Sequence, residues 1–338
     1  MLKRRLFLAA PAIGAVAVLA ALYLIATPRL GPDALLRLMI PDSQVAQAGA
    51  GEGHADAAAS PQSEPPRADA TDANPVTPGE VAIAPAARAL DAAWERRAVP
   101  ANPLPGKVLL AIVLDDMGLD RTRAMRAIAL PAPLTLSFLP YGRDASALAI
   151  LARQRGHEVL LHMPMQPVGN ENPGPQALNV DLGPQEVRMR VAAALDRFGD
   201  AVGLNNHMGS RFTADRNLMT PVMEELAARG LIFVDSRTAN ATQGQAAADL
   251  LGVPAVMRDV FLDNEITREA VLAQLTELEQ IARRRGAAVA IGHPHDVTLT
   301  ALAGWLPTLA ERGFQAVPVT TVVRRRLANG SGAIRVTP

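Results

Sequence analysis

The chain has 338 residues, with Lys+Arg and Asp+Glu both numbering 33 and a formal net charge of zero. That length holds one large domain or two ordinary ones with a real core. The missing basic excess counts against a nucleic-acid binder. Cysteine is absent, which excludes disulfides, thiolate nucleophiles, Fe–S clusters and every Cys-containing zinc site. Any metal must be held by His, Asp or Glu, and there are only six histidines.

Lys3-Arg4-Arg5 precedes an uncharged stretch, 6–27, of 22 residues. As a helix it spans roughly 33 Å, enough to cross a bilayer core. The charge placement puts the N-terminus inside and the remainder outside the cytoplasm. Residues 1–27 are therefore expected to anchor the chain in the inner membrane, facing the periplasm. The alternative is a signal peptide cleaved after Ala15-Val16-Ala17, which leaves a soluble periplasmic protein. Residues 28–105 read as an Ala/Pro-rich disordered linker. Ala and Pro fill 25 of the 55 positions in 51–105, and Val76 is the only large aliphatic residue in 51–80. Such a segment buries too little apolar surface to offset chain entropy. Gly49, Gly51 and Gly53 follow no strand and open no helix, so they are not read as a phosphate loop.

Residues 106–327 have the texture of an α/β domain, and 328–338 read as a tail. Val108–Leu114 is a continuous apolar run, as suits a strand buried on both faces. Further strands are expected at Leu134–Leu139, Val159–Leu161, Ala201–Leu204, Leu231–Val234, Val253–Met257, Ala287–Ile291 and Gln315–Val319. Helices are expected after Pro184, from Pro221 to Gly230, from Thr267 to Gly286, and through Leu302, Leu306 and Leu309 to Gly313. This alternation predicts a parallel sheet with helices outside, open or closed into a barrel.

Polar residues fall at the strand ends. Asp115-Asp116 follows the first, His162 the third, Asn205-Asn206-His207 the fourth, and Asp235 with Arg237 the fifth. Asp263 follows Phe261-Leu262, and His293-Pro294-His295 follows Ala288–Gly292. Parallel α/β sheets carry their sites at the carboxyl ends of strands, so these groups converge on one rim. Asp235 and Asp263 suit turns equally well. His157 precedes its strand, at the opposite rim, and takes no catalytic role. No G-x-S-x-G elbow, zincin motif or P-loop occurs. Asp and His ligands with a spare acid and base remain, which suits a divalent metal that activates water, with Zn²⁺ the usual ion. Aromatic residues make up 3% of the chain. Phe138, Tyr141, Phe212, Phe261 and Trp305 are those near the rim or its loops, with Trp305 in a helix, so few aromatic faces are available to a ligand: a short oligosaccharide, a glycan terminus or no sugar at all stay open against a long polysaccharide groove.

These segments resemble a known family. Ile112–Gly118, Gly156–Met165, Asn205–Ser210, Phe233–Thr238, Val260–Asp263 and Ile291–Pro294 are together similar to the divergent polysaccharide deacetylases, a branch of the NodB-homology carbohydrate esterases. The resemblance covers about 106–325. It implies a distorted (β/α) barrel of about seven parallel strands, a divalent-metal site and hydrolysis of N-acetyl or O-acetyl groups on sugars. By the same resemblance Asp115 is the base, Asp116 and His162 are metal ligands, and His293 is the general acid. Gln166 stands where the wider superfamily has a second His, and His207 is the available replacement ligand. Arg211 and Arg237 are candidates for the superfamily's arginine. Asp235 or Asp263 would orient His293, and Asn206 and His295 complete the surroundings. The expected partner is a cell-envelope glycan or N-acetylhexosamine oligomer. The alternative is a non-catalytic envelope protein that uses this fold to bind glycan or another protein.

Overall fold

The computed structural model describes residues 92–131 and 133–329. All lie in one of the two units into which the chain divides, Gly79–Pro338. The expected membrane segment 1–27, the linker up to residue 91 and the tail from 330 fall outside the described residues. Among the described residues no helix is long and apolar enough to cross a membrane.

Among the described residues nine strands form the sheet: β1 (Val108–Met117), β2 (Thr135–Phe138), β3 (Glu158–Met165), β4 (Gly203–Met208), β5 (Ile232–Asp235), β6 (Ala255–Met257), β7 (Val260–Phe261), β8 (Ala287–Gly292) and β9 (Phe314–Ala316). Their order is β6-β5-β4-β3-β2-β1-β8-β7, and every pairing is parallel. β9 lies beside the first residues of β1, where Val108–Leu110 pair with Phe314–Ala316. The result is a NodB-like half-barrel with β6 and β7 as its edges. The helices are α1 (Ala93–Arg97), α2 (Arg121–Ile128), α3 (Ala145–Gln154), α4 (Pro184–Asp196), α5 (Arg216–Arg229), α6 (Gly244–Leu251), α7 (Arg268–Arg285), α8 (Asp296–Trp305) and α9 (Val319–Ala328).

Strand alternation divides the core in two. Leu110, Ile112 and Leu114 of β1 face outward, into a cluster with Val187 and Val191 of α4, Leu226 of α5 and Leu278 of α7. Leu109, Ala111 and Val113 face the concave side, where Val289 and Ile291 of β8 meet Val319, Val322 and Val323 of α9. Both faces of β1 are thus buried, which is why its sequence shows no polar alternation before Asp115.

Three expectations need correction. Residues 92–105, assigned to the linker by composition, begin the folded domain. α1 buries Trp94 in the concave cluster, and its backbone N–H donates to Gly230 O at 3.0 Å. One anchored aromatic ring outweighs the Ala/Pro character around it. Second, α5 starts at Arg216, where Asp215 accepts from Asn217 N, so Pro221 lies inside the helix and does not open it. Third, the strand expected at Gln315–Val319 is the short β9 followed at once by α9, with Pro318, which has no N–H for a sheet ladder, at the N-cap of the helix.

Candidate active site

The carboxyl ends of β1, β3, β4, β5, β7 and β8 meet at one rim. β1 carries two adjacent acids, which on a regular strand would point to opposite faces. Its pairing with β2 slips between Leu114 and Met117, and Asp116 adopts a left-handed φ of 55°. This bulge turns both carboxylates into the site. Gly118, at φ 102°, completes the turn, and a Cβ there would lie 3.0 Å from that of Ala145.

Three donor atoms from three strands face one another. Asp116 Oδ1 lies 2.9 Å from His207 Nδ1 and 3.2 Å from His162 Nε2, and the two ring nitrogens are 3.2 Å apart. Asp116 Oδ1 is buried with no hydrogen bond of acceptable geometry, because the rings present their nitrogens to each other as well as to it. Ligands about 2.0–2.1 Å from a tetrahedral ion stand roughly 3.3 Å apart. The triad has nearly that spacing and an orphaned oxygen, and so fits a divalent ion.

Asn205 sets the chemistry of His162, its register partner on β4. Its Nδ2 donates to Asp115 Oδ1 at 2.8 Å and to Ser236 Oγ at 3.1 Å. Its Oδ1 accepts from Ser137 Oγ and faces His162 Nδ1 at 2.8 Å. A carboxylate only accepts, so the Asn205 amide has one orientation, and His162 Nδ1 must carry the proton. His162 Nε2 is then left as the lone pair that faces Asp116, the usual arrangement around a metal-binding histidine.

Burial pushes the Asp115 carboxyl above the usual carboxylate range, against the pull of His162, His293 and Asn205. Burial also opposes ionisation of Asp116, but His162 and His207 outweigh it and hold the carboxyl far below its ordinary value. Burial works against the charged ring of His162, yet Asp115 and Asp116 raise its pKa. The triad therefore favours positive charge at its centre, as proton or as ion.

His293 stands across the rim, its Nε2 3.9 Å from Asp116 Oδ2. Asp263 receives both its Nδ1 at 3.0 Å and its backbone N–H at 2.6 Å, with Thr298 Oγ1 adding a third bond at 2.9 Å. Burial lowers the imidazolium's stability, but Asp263, aided by Asp115, lifts its pKa to about 9. Phe261 meets the ring edge-on at 5.4 Å.

The structure brings Asp115, Asp116, His162, His207, His293 and Asp263 together. His295 is adjacent, its ring 5.8 Å from that of His293, and with Asp263 and His293 it forms a second His/Asp group. Of the two carboxylates weighed as the orienter of His293, Asp263 makes the contact. Asp235 closes its own turn, accepting from Arg237 N and Thr242 Oγ1, both at 2.8 Å. Asn206 staples the β4 and β5 ends by accepting from Ser236 N at 2.9 Å. Arg211 is exposed and donates only its backbone N–H, to Gln166 O. The Arg237 side chain is exposed too. Gln166 holds a loop through Val180 N at 2.9 Å and stands outside the triad. His157, at the opposite rim, is buried between Leu134 N and Ile128 O. Phe138 and Phe212 are core, and Trp305 donates to Glu279, which leaves Tyr141 and Phe261 as site aromatics.

Sequence reasoning placed Asn205 at the rim without giving it a role, and passed over Ser137, Thr298 and Arg258. Strand alternation carried the signal for Asn205, since positions 205 and 207 share a face and 206 does not. Arg258 is an arginine whose charge reaches the site carboxylates. It attracts Asp115 and Asp235, and donates to Ser236 O at 2.7 Å.

A parallel half-barrel with an Asp-His-His triad and an opposed His293–Asp263 pair at its rim defines a NodB-like scaffold. The divergent polysaccharide deacetylase family model matches residues 112–323, and the chain belongs to that family. It is 36% identical over 199 residues to the uncharacterized protein YibQ of Escherichia coli, covering 59% of this chain. That match spans 62% of the relative's length, less than two thirds. An uncharacterized protein of Haemophilus influenzae is 36% identical over 202 residues, covering 60% of this chain and 72% of that one. The crystal structure of an uncharacterized protein from Agrobacterium tumefaciens superposes with a TM-score of 0.66 at 31% identity, covering 68% of this chain and 94% of that one.

Proposed function

We propose that this protein is a metal-dependent deacetylase that hydrolyses N-acetyl groups on a short extracytoplasmic glycan. The observation that carries this reading is the orphaned Asp116 Oδ1 facing two imidazole nitrogens, with the buried Asp115 carboxylate on one side and the Asp263-held His293 imidazole on the other. A divalent ion such as Zn²⁺, held by Asp116, His162 and His207, supplies Lewis acidity and a water of near-neutral pKa. Asp115 takes the proton of the attacking water through Oδ2, since Asn205 occupies Oδ1. Its raised pKa makes it a stronger base than an exposed carboxylate. Water adds to the acetamide carbonyl, the C–N bond breaks, and the amine leaves with the proton from His293 Nε2. Asp263 keeps Nδ1–H of His293 turned inward, so that Nε2 faces the reacting atoms. Tyr141 and Phe261 offer two small apolar faces, enough for one or two sugar rings.

The test is acetate release from N-acetylhexosamine oligomers, with a metal-stripped sample as blank. His293→Ala and Asp115→Asn should each lower turnover by about 10²–10⁴-fold while oligomer binding persists. The double variant should lose little more than either single one, because both residues serve one proton transfer. Wild-type protein that binds the oligomers and releases no acetate would replace this reading with the non-catalytic one. The same proposal places the domain in the periplasm, tethered through 6–27. A reporter active only outside the cytoplasm, fused after Glu80, must then give signal.

A further inference from the structure

Between the two edges of the half-barrel lies a cavity of about 750 Å³. The chain crosses this gap in two residues. Arg258 N–H donates to Asp235 O on the β5–β6 side, and Asp259 N–H donates to Val289 O on the β8 side. The end of α9 forms the opposite wall. The charged side chains lining the cavity are Arg237, Arg258, Arg285, Arg325 and Arg326 against the single acid Asp259.

Asp259 is fully engaged. It pairs with Arg285 at 2.8 Å and with Arg326 at 2.9 Å, and accepts Val289 N–H at 2.8 Å. Arg258 donates to two backbone carbonyls and stacks on Phe261 at 4.7 Å, and it makes no direct ion pair among the described residues. Arg237 and Arg325 make no side-chain hydrogen bond or ion pair among the described residues. Arg325 is nevertheless half-buried, and its guanidinium lies over Gly286, where an added Cβ would come within 2.5 Å of it. Guanidinium groups crowded around a partly desolvated space repel one another unless an anion sits among them.

We infer that this cavity binds a multiply charged phosphate ester, the chemistry shared by a phosphorylated sugar and a phospholipid headgroup. The planar guanidinium fork matches phosphate oxygens in a bidentate way. The volume falls within the roughly 300–1,000 Å³ range of small-molecule pockets, so it holds an ester and not merely an inorganic ion. This inference does not depend on the deacetylase reading.

The test is calorimetric titration of the full chain in non-ionic detergent, stripped of metal so that phosphate cannot bind at the Asp-His-His triad. Inorganic pyrophosphate is the first probe. One site per chain is expected, with an affinity that falls as salt rises. Arg237→Gln and Arg325→Gln should each weaken it about tenfold, the loss of one charge-assisted contact. Arg325→Lys should restore part of the affinity, which separates charge from local collapse. Asp116→Asn should change nothing. A hexosamine phosphate and a deacylated glycerophosphate headgroup form the two further arms, and the tighter one identifies the source. No binding of any of the three overturns the inference. So does full affinity in the Arg237→Gln/Arg325→Gln double variant, or loss of affinity in Asp116→Asn.

Discussion

Asp263 fixes His293 at two points, its ring Nδ1 and its backbone N–H, and that sets the protonation state too. The folded-state pKa of about 9 lies above the ordinary value of about 6.5. The acid form is therefore present at neutral pH and is lost only as pH rises through about 9. Asp115 must be ionised, and its pKa is raised. The profile of kcat/KM should accordingly be a bell, with an acid limb above the ordinary carboxylate range and an alkaline limb near 9. Asp263→Asn removes the charge that opposes burial, so the alkaline limb should move down toward neutrality. An alkaline limb unmoved in that variant would show that His293 is not the titrating acid. The side chains gathered at the rim were legible because each follows an apolar run. The residues that orient them were less so, because Asn205, Ser137 and Thr298 work through hydrogen bonds between elements distant in sequence. A polar residue's partner cannot be read until the register His162 to Asn205 is known.

Among the elements, α1 and the segment after it act as a clasp on the barrel floor. Trp94 lies in the concave cluster under Arg324, and Arg324 pairs with Glu95 at 2.6 Å. Glu158, buried at the start of β3, accepts from Val99 N, Thr320 N and Thr320 Oγ1. It thereby ties this clasp to the first turn of α9. Trp94→Ala should cost about 3 kcal/mol of stability. Urea denaturation should show the midpoint falling with little change in slope. A midpoint equal to wild type would mean that 92–105 is dispensable and the domain begins where composition placed it. The longer strands and the helices with clear caps, such as α7 between Thr267 and Gly286, were legible from the sequence. The helices α2, α3 and α6 gave weaker signals, since they run only eight to ten residues. Pro221 misled because proline favours a first turn, yet α5 holds it mid-helix.

For the whole molecule, parallel strands alternating with helices were legible from the sequence, while the way the sheet ends was not. β6 lies within the strand expected at Val253–Met257, but β7 has two residues, too few for any periodicity to show, so its place as the other edge could not be read. The open edge that results holds the arginine cavity, while the rim gathers Asp115, Asp116 and Asp263 within reach of one another. On the proposed reading, an ion held at that rim couples its binding to the fold. A ligand that binds only the native state stabilises it by mass action, by about 4 kcal/mol at a thousandfold excess over Kd. The thermal midpoint of the metal-stripped chain should therefore rise on adding Zn²⁺. Asp116→Asn and His207→Gln should lose that response, since each removes one of three donor atoms. Both variants should fold without metal, because neither residue carries apolar packing. Asp115→Asn should keep the response, because Asp115 stands beside the triad and is held by Asn205. Equal stabilisation of wild type and Asp116→Asn by Zn²⁺ would place the ion elsewhere. A wild-type midpoint unmoved by any divalent ion would leave the Asp-His-His triad as a protonated structural cluster.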